Sequence, residues 1–414
     1  MFSLLPRFFI FALSTLISLT ALADESSNFT ITGFGTIGVV HNSTRDADII
    51  RDLSQNTGTG RTRQNDTNMD SNLGLQAEAH LNDVVDAAVQ VVSRYGPNEY
   101  KPEVTWAYAK YSPSDTVQLR LGRLGFDVYL LADSRNIGYS YIWVRPPIDF
   151  FGNLIVSYFD GFDTVINRDL GQGQIRLKVF SGLAREKIYN GISNQFFSLN
   201  GSKLTGGHVE YQQGNWTFRI GHSQLRFANE NPVNNLITPV LNNPTFQLFY
   251  PGASQLSQKV LMQDKNAHYT SLGIVYDKGP LQAQLMLSRI NSGSLFFPGS
   301  DAAYLSASYR IKNWTPYVTY SGVRPSGDRA NIQISPQLPP EVQEFLQALS
   351  TGLNDQLSKQ NTITAGVRYD LSENVSVKVQ LDHIRSQGSF LIRNDLPNWN
   401  GRATLLSLAV NFIF

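Results

Sequence analysis

The run Gly33-Phe34-Gly35-Thr36-Ile37-Gly38 has the glycine spacing of a dinucleotide-binding turn, in which a strand passes into a helix whose amino terminus holds a pyrophosphate. Its surroundings alternate instead, with Phe29, Ile31, Ile37 and Val39 on one side and Thr30, Thr32 and Thr36 on the other. A strand that continues through the glycines offers no helix to a phosphate. The histidines His41, His80, His208, His222, His268 and His383 lack the tight spacing of a metal pair. His222 and Ser223 set a base beside a nucleophile in sequence, yet on opposite faces of one strand. The chain has no cysteine, which excludes thiol catalysis, thiolate metal sites and a disulfide framework.

The more informative chemistry is basic. Arg120, Arg176, Lys178, Arg219, Arg310, Arg368 and Lys378 all fall on the polar face of alternating runs. The long segment between Gly125 and Tyr158 carries Asp127, Asp133 and Asp149, together with Arg135 and Arg145. Folded against a basic wall, it would create a transverse field across a narrow wet passage. A basic constriction attracts anions, an effect salt screens over roughly 8 Å. The alternative is that these charges are solvated and paired with acids such as Asp370 and Asp382. A net charge of +1 gives no argument for a nucleic-acid partner.

Those charges must be positioned by strands. From Asn28 onward apolar and polar residues alternate in runs of about ten residues. The runs lie near 28–40, 71–81, 85–94, 103–112, 116–124, 158–168, 174–183, 204–213, 216–227, 267–278, 281–290, 301–311, 314–324, 361–371, 375–386 and 404–414. An even set of sixteen returns both ends to one side of a closed barrel. The last run is the cleanest, with Leu406, Leu408, Val410, Phe412 and Phe414 on one face, apolar throughout, and Leu405, Ser407, Ala409, Asn411 and Ile413 on the other. Short turns such as Asn82-Asp83, Gln213-Gly214-Asn215 and Lys312-Asn313 alternate with long connections at 41–70, 125–158, 228–266, 325–360 and 386–403. Barrels of the outer membrane segregate short turns from long loops in this way, and soluble sheets have no reason to. In one long connection Val342, Phe345, Leu346, Leu349 and Leu353 share a helical face after Pro339-Pro340-Glu341, which predicts a short helix over the barrel mouth.

Residues 1–23 read as a cleavable secretory signal, with Arg7, an apolar run from Phe8 to Leu22 and an exit at Ala21-Leu22-Ala23. Residues 24–414 then form a single barrel domain. No later segment approaches the ~20 apolar residues of a spanning helix, so a membrane-embedded mature chain must be a closed barrel. The composition agrees: 24 Phe and 18 Tyr accompany only 16% charged residues, against the ~25% of ordinary soluble domains.

These features together resemble the Gram-negative porin superfamily of sixteen-stranded outer-membrane barrels. The carriers are the opening strand Phe29-Thr30-Ile31-Thr32-Gly33-Phe34-Gly35, the long insertion after the fifth strand, and the terminal Phe412-Ile413-Phe414. The resemblance implies a constriction loop folded into the lumen, containing Asp127, Asp133, Arg135, Tyr139, Tyr141, Trp143, Arg145 and Asp149, and a homotrimer in outer-membrane lipid. Ser407, Phe412 and Phe414 are similar to the signal read by the barrel-assembly machinery, although Ala409 stands where glycine is usual. The insertion lacks the loop sequence of the general porins and reads Asn136-Ile137-Gly138-Tyr139-Ser140-Tyr141-Ile142-Trp143. The expected function is a water-filled channel for passive diffusion of ions and small hydrophilic solutes, without a cofactor. Its rivals are a specific channel for an anionic or aromatic solute sliding over Tyr139, Tyr141 and Trp143, a barrel hydrolase using Ser223, and an adhesin. The facing assignment predicts that Leu406→Arg impairs assembly and Ser407→Arg is better tolerated.

Overall fold

The computed structural model describes residues 28–414 apart from 97, 98, 133, 153, 191–194, 328 and 329. The proposed signal at 1–23, and Asp133, lie outside the described residues. Sixteen long strands form the wall: β1 (Phe29–Asn42), β2 (Asn72–Asn82), β3 (Val85–Tyr95), β4 (Tyr100–Ser114), β5 (Val117–Gly125), β6 (Tyr158–Leu170), β7 (Gly173–Ala184) and β8 (Ser202–Gln213). The second half comprises β9 (Trp216–Arg226), β10 (Asn266–Lys278), β11 (Leu281–Ser292), β12 (Ser300–Tyr309), β13 (Trp314–Pro325), β14 (Gln360–Ser372), β15 (Val375–Ser386) and β16 (Arg402–Ile413). Each pairs antiparallel with the next, and β16 returns to β1 in the register Phe34↔Ile413 to Asn42↔Leu405. Closure leaves the wall without an exposed edge.

Alternation fixes which side faces out. Leu406 is 51% exposed while Ser407 beside it is 0% exposed. Ile220, Leu305, Val318, Tyr320 and Ile363 extend the outward band. An apolar band that encircles the molecule is far larger than water-soluble monomers expose, and lipid is the solvent that accommodates it. At the short-turn end Trp216 packs on Tyr276 and Trp314 on Tyr369, with ring centroids 4.6 and 4.5 Å apart. Aromatics of this kind favour the membrane interface.

The glycines that mimic a nucleotide motif have a packing role at the closure seam. The rings of Phe414 and Phe412 lie over Gly33 and Gly35, where a Cβ would come within 2.1 and 2.4 Å of ring atoms. The backbones meet there too, with Gly33 N donating to Phe414 O at 2.8 Å and Phe414 N to Gly33 O at 2.9 Å.

The long loops crowd the opposite end. The predicted helix forms as α5 (Pro340–Asn354) and buries Val342, Leu346, Leu349 and Leu353. Four other helices were not anticipated: α1 (Ile148–Phe151) inside the barrel, and α2 (Asn234–Leu241), α3 (Pro244–Phe249) and α4 (Ala253–Val260) over its mouth. A hairpin of Lys187–Asn190 with Gln195–Ser198 was likewise unforeseen, as was the two-stranded clasp of Asp48–Ile49 with Ile392–Arg393 that joins the first and last long loops. The main apolar cluster runs from inside the barrel into this cap, from Phe126, Trp143 and Phe150 to Leu241 and Leu346.

Candidate functional site

After β5 the chain turns inward and the described residues between 126 and 157 pack against the inner wall. Small wall residues make room for it: a Cβ on Gly221 of β9 would collide with the Val128 carbonyl, and one on Gly273 of β10 with the Leu130 side chain. Ser271 donates to the same Val128 carbonyl at 2.8 Å. Farther on, Trp143 meets Tyr304 edge to face at 5.9 Å and its indole N–H donates to Thr319 at 2.9 Å. Phe150 of α1 closes on Tyr304 from 5.2 Å.

Most of the basic residues expected on the wall are engaged in holding this segment or their neighbours. Lys178 lies 3.0 Å from Asp127 and 3.3 Å from Asp163. Arg219 bridges Asp127 and Glu210, both at 2.7 Å, and Arg120 forms a two-pronged pair with Asp163. Arg368 donates to the carbonyls of Tyr139 and Tyr141 at 2.5 and 3.0 Å, pairs with Asp370 and stacks on the Tyr139 ring. Lys378 donates to the carbonyls of Gly138 and Trp143 at 2.6 and 3.0 Å. Arg176 retains a buried Nε without a partner. Arg310 follows the last residue of β12, Tyr309, and its side chain is exposed at the short-turn end.

The segment's own charges are buried in a similar manner. Arg145 is 2% exposed, donates twice to Asp70 at 3.0 and 2.8 Å, and reaches Asp382 at 2.9 Å and Ser407 at 2.7 Å. Burial works against its charge, but Asp70 and Asp382 outweigh this and hold its pKa above the ordinary arginine value. Asp149 accepts from Ser321 and Gln360, each at 2.5 Å, and burial pushes its carboxyl up from the ordinary range. Arg135 donates to the Val156 carbonyl at 3.3 Å, and Tyr139 donates to Glu373 O at 2.6 Å.

Two expectations need correcting. Trp143 is 1% exposed, so it packs the segment to the wall and offers no sliding surface. Ser407 is a partner of Arg145, so Ser407→Arg would force two guanidinium groups together and is not the benign control it resembled on the strand face. The pair His222 and Ser223 divides as expected, His222 outward beside Thr270 and Ser223 buried inward.

The open space lies to one side of the segment. A cavity of about 200 Å³ separates it from the wall at Thr36, Asn72, Arg94 and Glu103. A second cavity of about 700 Å³ opens among the long loops, and the two share Leu53, Ile155 and Ile188. Charges of both signs line the inner one, among them Arg51, Arg94, Arg135 and Lys187 with Asp52, Glu103 and Glu186, beside the Arg145–Asp70 pair. Arg51 and Asp52 pair at 2.8 Å, Arg94 and Glu103 at 3.9 Å. Glu186 accepts from Ser157 N at 2.6 Å, and burial raises its pKa against the pull of Arg135. Of these, sequence reasoning singled out Arg135 and Arg145 and missed the others. Arg94 and Glu103 lie in strands, where alternation could have found them, whereas Arg51, Asp52 and Glu186 lie in connections without a period.

A closed barrel with a lipid-facing apolar band, segregated turns and loops, and a folded segment narrowing its lumen defines a channel of the outer membrane. The sequence profile of the Gram-negative porins matches residues 11–389. The chain belongs to that family. Among solved structures it is similar to an anion-selective porin from Comamonas acidovorans, with TM-score 0.54 and 13% identity over 93% of this chain and 99% of that one. The in-vitro folded OmpT of Vibrio cholerae in trimer form gives 0.53 and 12% over 93% and 99%. Salmonella typhi OmpF in complex with daunomycin gives 0.53 and 11% over 93% and 97%. No curated protein sequence matches the chain.

Proposed function

We propose that the barrel passes ions and small hydrophilic solutes by passive diffusion along the side of the inserted segment. The observation that supports this reading is a charge-lined cavity between the segment and the β1–β4 wall that adjoins a second cavity among the long loops. Arg51, Arg94, Arg135, Arg145 and Lys187 line the inner cavity with Asp52, Asp70, Glu103 and Glu186, and the raised pKa of Glu186 weakens the acidic side near its titration. The expected selectivity is a weak preference for anions, falling as pH rises and Glu186 ionises. Single-channel recording in a planar bilayer under a salt gradient tests both parts. Stable ohmic steps with a reversal potential of anion-selective sign are expected, and silence from folded, inserted protein would overturn the reading.

The protein is further proposed to be exported by residues 1–23 and inserted by the assembly machinery through Ser407, Phe412 and Phe414. A homotrimer is the proposed state, in keeping with the trimer form of the Vibrio cholerae neighbour. Sedimentation of the detergent-folded protein at monomer mass would exclude it.

A further inference from the structure

Arg393 sits in the clasp strand Ile392–Arg393, on the wall of the outer cavity of about 700 Å³. That volume lies in the ordinary range of small-molecule sites, ~300 to 1,000 Å³. Its Nε is buried without a hydrogen-bond partner, and Nη1 has only a long contact, 3.4 Å, to the Ile392 carbonyl. Among the described residues no carboxylate forms an ion pair with it. Asp48, its cross-strand neighbour, spends its carboxylate on Thr62 and on the Asn394 amide. Burial pulls the Arg393 pKa down to about 10, as expected of a guanidinium lacking a counter-charge.

A half-buried cation without an ion pair is unfavourable, and its unsatisfied buried Nε calls for an explanation such as an absent ion. The rest of the cavity narrows what the ion is. Tyr189, Phe296, Phe390 and Trp399 line the same space, giving apolar area and ring faces on which a flat body can stack. Asp355 and Asp395 also line it. They would repel a second negative charge and tolerate a neutral or cationic tail.

We propose that this cavity is a binding site for a small organic monoanion with an aromatic body, its carboxylate or sulfonate taken by Arg393 and its ring by the aromatic wall. The inference deepens the channel reading and rests on it in one respect, that a molecule held there lies at the entrance shared through Leu53, Ile155 and Ile188. Binding of sodium benzoate to the detergent-folded protein, followed by calorimetry, tests the site without requiring conduction. Sodium acetate and benzyl alcohol supply the charge and the ring separately.

Saturable binding of benzoate, weakened by at least about tenfold in Arg393→Gln and largely restored in Arg393→Lys, is the expected result. Asp355→Asn should tighten it. Each variant is first shown to be folded by its heat-modifiable gel mobility. Equal benzoate affinity in Arg393→Gln, or equal binding of acetate or of benzyl alcohol, would overturn the proposal. Benzoate binding that depends on Arg393 in a protein that never conducts would leave the site standing and remove the channel reading. Conduction without benzoate binding would do the reverse.

Discussion

Arg145 concentrates more of the inner architecture in one side chain than any other residue of the inserted segment. Its guanidinium ties the segment to Asp70 at the end of the first long loop, to Asp382 on β15 and to Ser407 on β16. Arg145→Ala would leave two buried carboxylates facing each other, and breaking such a network costs about 3 to 5 kcal/mol. Urea unfolding of the folded protein should show a loss of that order, and an unchanged midpoint would mean that water replaces the guanidinium. Asp149 gives a pH dependence of opposite origin. Burial raises its folded pKa, so the stability it contributes is fully present below the ordinary carboxyl value of 3.8 and is lost as pH rises through the raised value. Asp149→Asn should flatten the decline in stability across that window, read from melting temperature against pH. An identical slope in the variant would assign the decline to other groups.

At the scale of elements, strand facing has the sharpest consequence. Leu406→Arg puts a guanidinium on the lipid side at a cost of about 2 to 4 kcal/mol near the bilayer midplane, and assembly yield should fall. Gln118→Arg, on the inner face of β5 outside the Arg145 network, is the appropriate contrast and should fold. Ser407→Arg should fail despite facing inward, because it meets Arg145. Equal yields of Leu406→Arg and Gln118→Arg would contradict the facing. All sixteen strands were legible because lipid on one side and packed or wet polar groups on the other enforce a two-residue period. Helix α5 was legible because its buried face repeats cleanly between a proline start and Asn354. The cap helices were not: α2 carries Pro239 internally and has no side-chain cap, and α3 is only six residues long. Inside the barrel, the sequence showed which residues share a face but not which were consumed by contacts. Lys178 and Arg176 are equivalent by alternation, yet one is enclosed by Asp127 and Asp163 and the other has an unpartnered Nε.

For the whole molecule, the decisive contacts are the most distant in sequence. Asn411 donates to Thr36 across 375 residues at 2.7 Å, in the seam where Phe412 and Phe414 cover the glycines of β1. Removing Phe412–Phe414 should leave chains that secrete normally but do not become resistant to heat in gel electrophoresis, since the seam loses both its rings and its final backbone pairing. Resistance retained by the shortened chain would show that the remaining register of β1 with β16 is sufficient. Contacts so far apart are expensive to form and slow to find.

The seam therefore also acts as a clock. A wall whose first strand must wait for the last cannot be completed in step with synthesis. Until the final residues arrive, β1 presents an open edge and the future lipid-facing side chains stand in water. Closure of the wall therefore falls to the last strand, and the finishing stroke belongs to the pairing of β16 with β1.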